Sequence, residues 1–127
     1  MSFTTLLENE LLDHVFRNAA YTPPATVYIG LYTSATTGAG GGTEVTGGSY
    51  TRKAMAFDAA ASSAIDNTAA VEFPTATANW GTVTHTAVLD AATGGNMLAE
   101  TALTASKVIS TGDVFRFQAG EFDIALS

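Results

Sequence analysis

Residues 80–102 read W-G-T-V-T-H-T-A-V-L-D-A-A-T-G-G-N-M-L-A-E-T-A, and the fold turns on how this stretch is read. From Thr82 to Asp90 small polar and apolar residues alternate, the period-2 mark of a half-buried strand. Thr82, Thr84, Thr86 and Val88 share one face; Val83, His85, Ala87 and Leu89 share the other. D-A-A-T-G-G then supplies a turn, because Gly94 and Gly95 accept positive φ without steric cost. Alternation resumes from Asn96 to Ala102. The pattern predicts a β-hairpin with a four- or five-residue loop. A lone hairpin does not hold in water, so the rest of the chain must pair with it and pack on it.

Downstream, residues 106–109 predict a brief strand and 110–113 a turn. Residues 114–118 and 122–126 predict a final hairpin across Ala119-Gly120-Glu121. Upstream, residues 69–73 form a short strand stopped by Pro74, and the small, polar stretch 59–67 reads as a connection. Residues 50–57 predict a strand with Arg52 and Lys53 on opposite faces. Residues 25–33, A-T-V-Y-I-G-L-Y-T, predict a stronger one, with Val27, Ile29 and Leu31 facing away from Tyr28 and Tyr32. Between these two lies a loop, 34–49, holding half of the chain's twelve glycines; loops this long are usually functional or mobile. Near the N-terminus, Thr4 or Thr5 with Glu8 fits a capping box. Leu7, Leu11 and Val15 recur at helical spacing, with Leu12 and Phe16 in the neighbouring row. The helix predicted over about 5–18 ends before Pro23-Pro24. One helix followed by about eight short strands, with no strand–helix alternation, predicts a mainly β fold. The expected architecture is a single domain, 1–127, forming an antiparallel β-sandwich, jelly-roll-like, with one N-terminal amphipathic helix.

Charged residues make up only 13% of the chain, about half the usual share, and Thr, Ala, Gly and Ser stand in their place. Such depletion is found where a surface meets other protein. A net charge of −7 excludes the basic footprint of a nucleic-acid binder. Without cysteine, disulfides, thiolate metal sites and cysteine catalysis are excluded. No run of about 18 apolar residues could cross a membrane as a helix. Glu8, Glu10 and Asp13 lie where a signal peptide would be positive and then apolar, so synthesis in the cytosol without export by that route is expected.

No constellation demands catalysis. The Gly-rich loop contains neither G-x-x-x-x-G-K-[ST] nor G-x-G-x-x-G, so it does not read as a phosphate cradle. His85 and Asp90 lack a nucleophile on a G-x-S-x-G elbow, and His14 and His85 lack zinc-ligand spacing. Asp113, Glu121 and Asp123 alternate with Phe115, Phe117, Phe122 and Ile124, as a solvated face does beside a core face. There is no calcium-loop motif either. Trp80 and Phe73 flank 74–79, where an exposed aromatic could stack on a sugar, although core packing is the commoner role. The expectation is a non-enzymatic protein without cofactor or metal.

Four blocks resemble small tailed-bacteriophage virion proteins: residues 6–33, the Gly-rich G-G-T-E-V-T-G-G-S-Y-T-R-K, V-E-F-P-T-A-T-A-N-W-G-T-V-T-H, and the closing S-T-G-D-V-F-R-F-Q-A-G. Such sequences are commonly labelled tail-fibre or structural proteins, and similar jelly-roll proteins act as trimeric capsid cement. The resemblance implies a virion protein made in the host cytoplasm. The expected role is a capsid cement or decoration protein, a homotrimer bridging subunits of the major capsid protein. The alternative is a tail-fibre or adaptor component contacting a receptor or other tail proteins. Multivalent adhesion would be the mechanism. The expected contact residues are Gly40, Gly41, Gly42 and Glu44 on the loop, Leu7, Leu11 and Val15 on the helix, and Tyr28, Tyr32, Thr84 and Trp80 on the sheet.

Overall fold

In the computed structural model, residues 1–126 are described. Strand β1 (Ser2–Phe3) leads into helix α1 (Thr5–Phe16), and β2 (Val27–Tyr32), β3 (Lys53–Met55), β4 (Ala64–Asp66) and β5 (Val71–Glu72) follow. The chain then forms β6 (Gly81–Leu89), β7 (Met97–Ile109), β8 (Arg116–Phe117) and β9 (Asp123–Ala125). One five-stranded antiparallel sheet has the order β1-β7-β6-β2-β3; β4 pairs with β9 and β5 with β8 in two small ribbons. The result is the mainly β, sandwich-type fold that the alternating strands predict.

The β6–β7 hairpin is the centre of the sheet, and its pairing runs from Leu89↔Met97 to Gly81↔Ile109. Its loop, 90–96, is longer than expected. Asp90 caps it by accepting the Asn96 backbone N–H at 2.7 Å, and its own N–H donates to the Asn96 carbonyl at 3.1 Å. Simple alternation also fails within β6. Val83 pairs with Lys107 while His85 pairs with Ala102, so residues 103–106 bulge opposite Thr84. The bulge reverses the facing. Val83 and Val88 therefore both enter the main core, while Ala87 and Leu89 join Tyr32 and Met97 in a smaller cluster on the other side. Thr86, predicted on a polar face, is buried and donates to the Gly30 carbonyl at 2.9 Å.

Between the sheet and the ribbons runs a seam of aromatic rings in edge or stacked contact. Tyr50 meets Phe73 (6.2 Å between centroids), Phe73 meets Phe115 (5.8 Å), and Phe117 lies 5.1 Å from both Phe115 and Phe122. Such pairs add about 0.5–1.5 kcal/mol each beyond the area they bury. Buried Asn67 ties the ribbons to this seam. Its amide donates to the Ala69 and Gln118 carbonyls, and its Oδ1 accepts the Phe122 N–H at 2.9 Å. All three bonds are internal, so the burial of its polar atoms is compensated.

Three local expectations are corrected. Residues 114–118 and 122–126 do not form a hairpin with each other: β8 pairs with β5, and β9 with β4. The stretch 59–67 is not merely a connection, because it contains β4. Ser62 (φ 53°) and Ser63 (φ 65°) make a tight turn closed by reciprocal Ala61–Ala64 hydrogen bonds. The helix ends at Phe16, with Arg17 as its C-cap and Asn18 left-handed at φ 55°. Thr4 is its N-cap, which puts Leu7 rather than Glu8 at the position a capping box needs. None of the helix residues is fully buried.

Candidate functional site

The Gly-rich segment folds as a strap across one end of the sheet. Thr33 N–H donates to the Thr43 carbonyl (2.8 Å) and Val45 N–H to the Leu31 carbonyl (2.9 Å), so the strap begins and ends as a short extension of β2. Thr37 and Gly40 close a turn at the tip, and the Gly38 carbonyl accepts the Thr5 N–H at 2.8 Å, docking the strap on the start of α1. Val45 is buried. At the far end, the Gly48 carbonyl accepts Trp80 Nε1–H at 2.9 Å.

Under the strap lies a three-residue polar network. Arg52 forks onto Glu44, with Nε donating to Oε2 and Nη2 to Oε1, both at 2.8 Å. Its Nη1 donates to the Ala91 and Gly94 carbonyls of the β6–β7 loop, each at 2.8 Å. Tyr50 adds a 2.7 Å bond from its hydroxyl to Glu44 Oε2, and the same hydroxyl accepts the Leu31 N–H at 3.0 Å. A planar guanidinium suits this task, since one side chain clamps a carboxylate and two carbonyls at once. The network joins strap, sheet and hairpin loop. Gly30 makes room for it: a Cβ there would lie 3.0 Å from Leu89 Cδ1 and 3.1 Å from Glu44 Oε2.

The electrostatics follow from this packing. Burial alone would raise the Glu44 carboxyl, but the Arg52 and Tyr50 hydrogen bonds outweigh it and hold Glu44 below its ordinary value. Burial and then the bond to Glu44 push the Tyr50 hydroxyl far up, and burial beside Glu44 also raises Tyr32. The Glu44 hydrogen bond raises Arg52 further. At neutral pH the site is a fixed ion pair flanked by neutral phenols.

Above the pair opens a cleft of about 500 Å³ between two glycine-rich lips, Gly38 to Gly42 on the strap and Gly94-Gly95 on the hairpin loop. Tyr32, Glu44, Arg52, Leu89 and Met97 line its floor, and Thr4 to Leu6 its wall. Of the residues singled out from sequence, Gly40, Gly41, Gly42, Glu44 and Tyr32 thus come together here. Leu7 and Leu11 are half-buried on α1, and Val15 on the same helix is exposed. Tyr28 is half-buried. Thr84, also half-buried, bonds its own neighbour His85 at 2.8 Å. Trp80 is 5% exposed and packs edge-on against Tyr50, so it offers no ring face for a sugar or a partner. Arg52 and Asn96 complete the cleft but carry no local signature, since Arg52 reaches partners up to 42 positions away.

Among the described residues no group of three or more His, Asp or Glu side chains could hold a metal ion. Asp113 and Glu121 are engaged as turn caps, accepting the Ser110 and Gln118 N–H groups at 2.8 Å. Asp123 stands opposite Asp66 in the β4–β9 ribbon. No helix is long and apolar enough to cross a membrane among the described residues.

No curated protein matches the chain closely enough to count as a relative. The family model for Podophage GP4 fiber I protein gp80, however, matches residues 2–125, and the chain belongs to that phage fibre family.

Proposed function

We propose that this chain is a non-enzymatic component of a podophage tail fibre, acting by binding to other proteins of the tail or to the surface the tail meets. Membership of the fibre family over residues 2–125 makes the chain a phage structural protein and is the observation that carries the reading. The expectation of capsid cement finds no support in that membership, and no feature of the surface favours a capsid joint over a tail. Two structural features support an adhesive role. Helix α1 keeps Leu12 (55%), Val15 (64%) and Phe16 (78%) exposed, an apolar face that the described residues leave largely uncovered. The charge-poor surface is of the kind that packs against protein. Self-association, as a trimer or otherwise, belongs to this proposal.

The test is a cryo-electron reconstruction of the intact particle with this chain traced into density. Copies in tail-attached fibres are expected. Copies confined to the capsid shell would overturn the tail placement and restore the cement reading.

A further inference from the structure

On one side the main sheet ends in an edge that is only partly covered. Strand β7 runs from Met97 to Ile109, and its outer neighbour β1 pairs with it at Ala99 and Glu100 alone. On the inner side, β6 pairs with Ala102 and Lys107 but with none of residues 103–106. Among the described residues, that stretch has no strand on either side. The backbone keeps its phase across it. The Leu98 carbonyl points outward to the Thr4 N–H (2.8 Å), and the Ile109 carbonyl points inward to the Trp80 N–H (2.9 Å). Alternation between those two ends directs the N–H and C=O groups of Ala102, Thr104, Ser106 and Val108 outward. All four residues are exposed. Such an edge is a template for another strand, and only Lys107 carries charge between Thr101 and Ile109.

Beside the bare part of the edge a groove of about 360 Å³ continues from the seat of β1. Met1 and Phe3 pack against the main core, and Met1 forms one end of the groove. Beyond it the lining is Leu103 with the rings of Phe115, Phe117 and Phe122. Lys107 and Arg116 offset Glu121 and Asp123 around it, so the groove selects no charge. We propose that residues 102–108 and this groove receive an extended segment of a different protein of the particle, antiparallel to β7 and in line with β1. Its main chain bonds to the four outward residues. Its apolar side chains, opposite Leu103 and Ala105, enter the groove as Phe3 does opposite Ala99. A second copy's β7 is a poor donor, because two-fold pairing of this edge must match even residues with even. Centred on Ala105, it drops the second copy's Ile109 onto Met1, which follows Ser2 along the same edge. Centred on Ser106, it makes the two Lys107 side chains diagonal neighbours on one face. The inference goes beyond the fibre reading by naming the contact through which the chain joins a neighbour.

Hydrogen exchange read by mass spectrometry, comparing residues 101–109 in the purified chain and in intact particles, tests the edge. Exchange there should slow about tenfold or more on assembly. Particle reconstruction should show a strand of a different protein beside residues 102–108. Ser106→Pro removes an outward N–H that no strand of the chain uses, so the melting temperature should stay unchanged while incorporation into particles falls about tenfold. Ala105→Lys, at an exposed position, puts charge at the groove without altering the backbone; it should have the same effect and decides if the proline variant fails to fold. An edge that exchanges as fast in particles as in solution, an edge covered by a second copy, or normal incorporation of both variants would each overturn the inference. The two readings fail separately. A bare edge on a tail-bound copy leaves the fibre role intact, and a paired edge on a capsid-bound copy removes that role but keeps the strand contact.

Discussion

Helix α1 and the glycine-rich strap lie side by side, joined by the bond from Thr5 N–H to the Gly38 carbonyl, yet they are held in opposite ways. The helix is regular, twelve residues long, and has no buried side chain. The strap is irregular, with left-handed glycines at 40, 41 and 42, yet it buries Val45 and Thr36 and anchors a charged network. Regularity and attachment are therefore separate properties. A helix satisfies its backbone internally and can rest lightly on a domain. An irregular segment must find outside partners for its backbone groups, and the more it finds the less freely it moves. Here the part built for regularity stays available to partners, and the part built of glycine belongs to the domain.

Removing the clamp would break that contrast most severely. Arg52→Leu strips Glu44 of its countercharge and leaves the Ala91 and Gly94 carbonyls unpaired, a loss of about 3 kcal/mol measured by urea denaturation. Glu44→Ala should cost nearly as much, and the double variant less than the sum. An additive double variant would mean that the two side chains act independently and that the strap is held mainly by Val45.

Acid gives the same clamp a second test. Because Glu44 titrates below its ordinary value in the folded protein, the unfolded chain binds protons first as pH falls. The stabilisation is complete above the normal carboxylate range and disappears as pH drops through the lowered Glu44 value. Glu44→Gln should start less stable at neutral pH and lose less on acidification, so the two stability curves converge. Parallel curves would assign acid sensitivity to other carboxylates.

These residues also show what could be read in advance. The β6–β7 hairpin, the core faces of β2 and the aromatic positions near the C-terminus are written in local alternation, and alternation is a local signal. The clamp is not, because Glu44, Arg52 and Gly94 meet only after three separate segments are placed. The same limit explains β8 and β9: two- and three-residue strands say little about their partners, and adjacency suggested a hairpin where the chain instead reaches back to β5 and β4. Strand β4 was hidden by Ser62-Ser63, a turn with positive φ at both central residues, a job more often given to Asn or Gly.

Thr4, where helix and sheet are coupled, should have a smaller effect than the clamp. Its hydroxyl donates to the Met97 carbonyl at 2.7 Å and accepts Leu7 N–H at 3.5 Å, the latter at the weak end of hydrogen bonding. Thr4→Ala should cost about 1 kcal/mol and let α1 exchange its amides faster while strap amides such as Val45 stay protected. If strap and helix lost protection together, they would form one cooperative unit and the contrast between them would be wrong.

The smallest effect belongs to the outer face of the helix. Leu12→Ser with Phe16→Ser removes two large apolar side chains, which in a core would cost several kcal/mol. Both are already more than half exposed, at 55% and 78%, so little desolvated surface is lost and the unfolded chain gains no comparable advantage. The melting temperature should stay within the change that about 0.5 kcal/mol produces. Any concentration-dependent association, read by sedimentation velocity, should weaken in the same variant, because the residues freed from the fold are the ones free to meet a partner. A large drop in stability would show that this face packs against the domain, and the helix would then be a structural element like the strap.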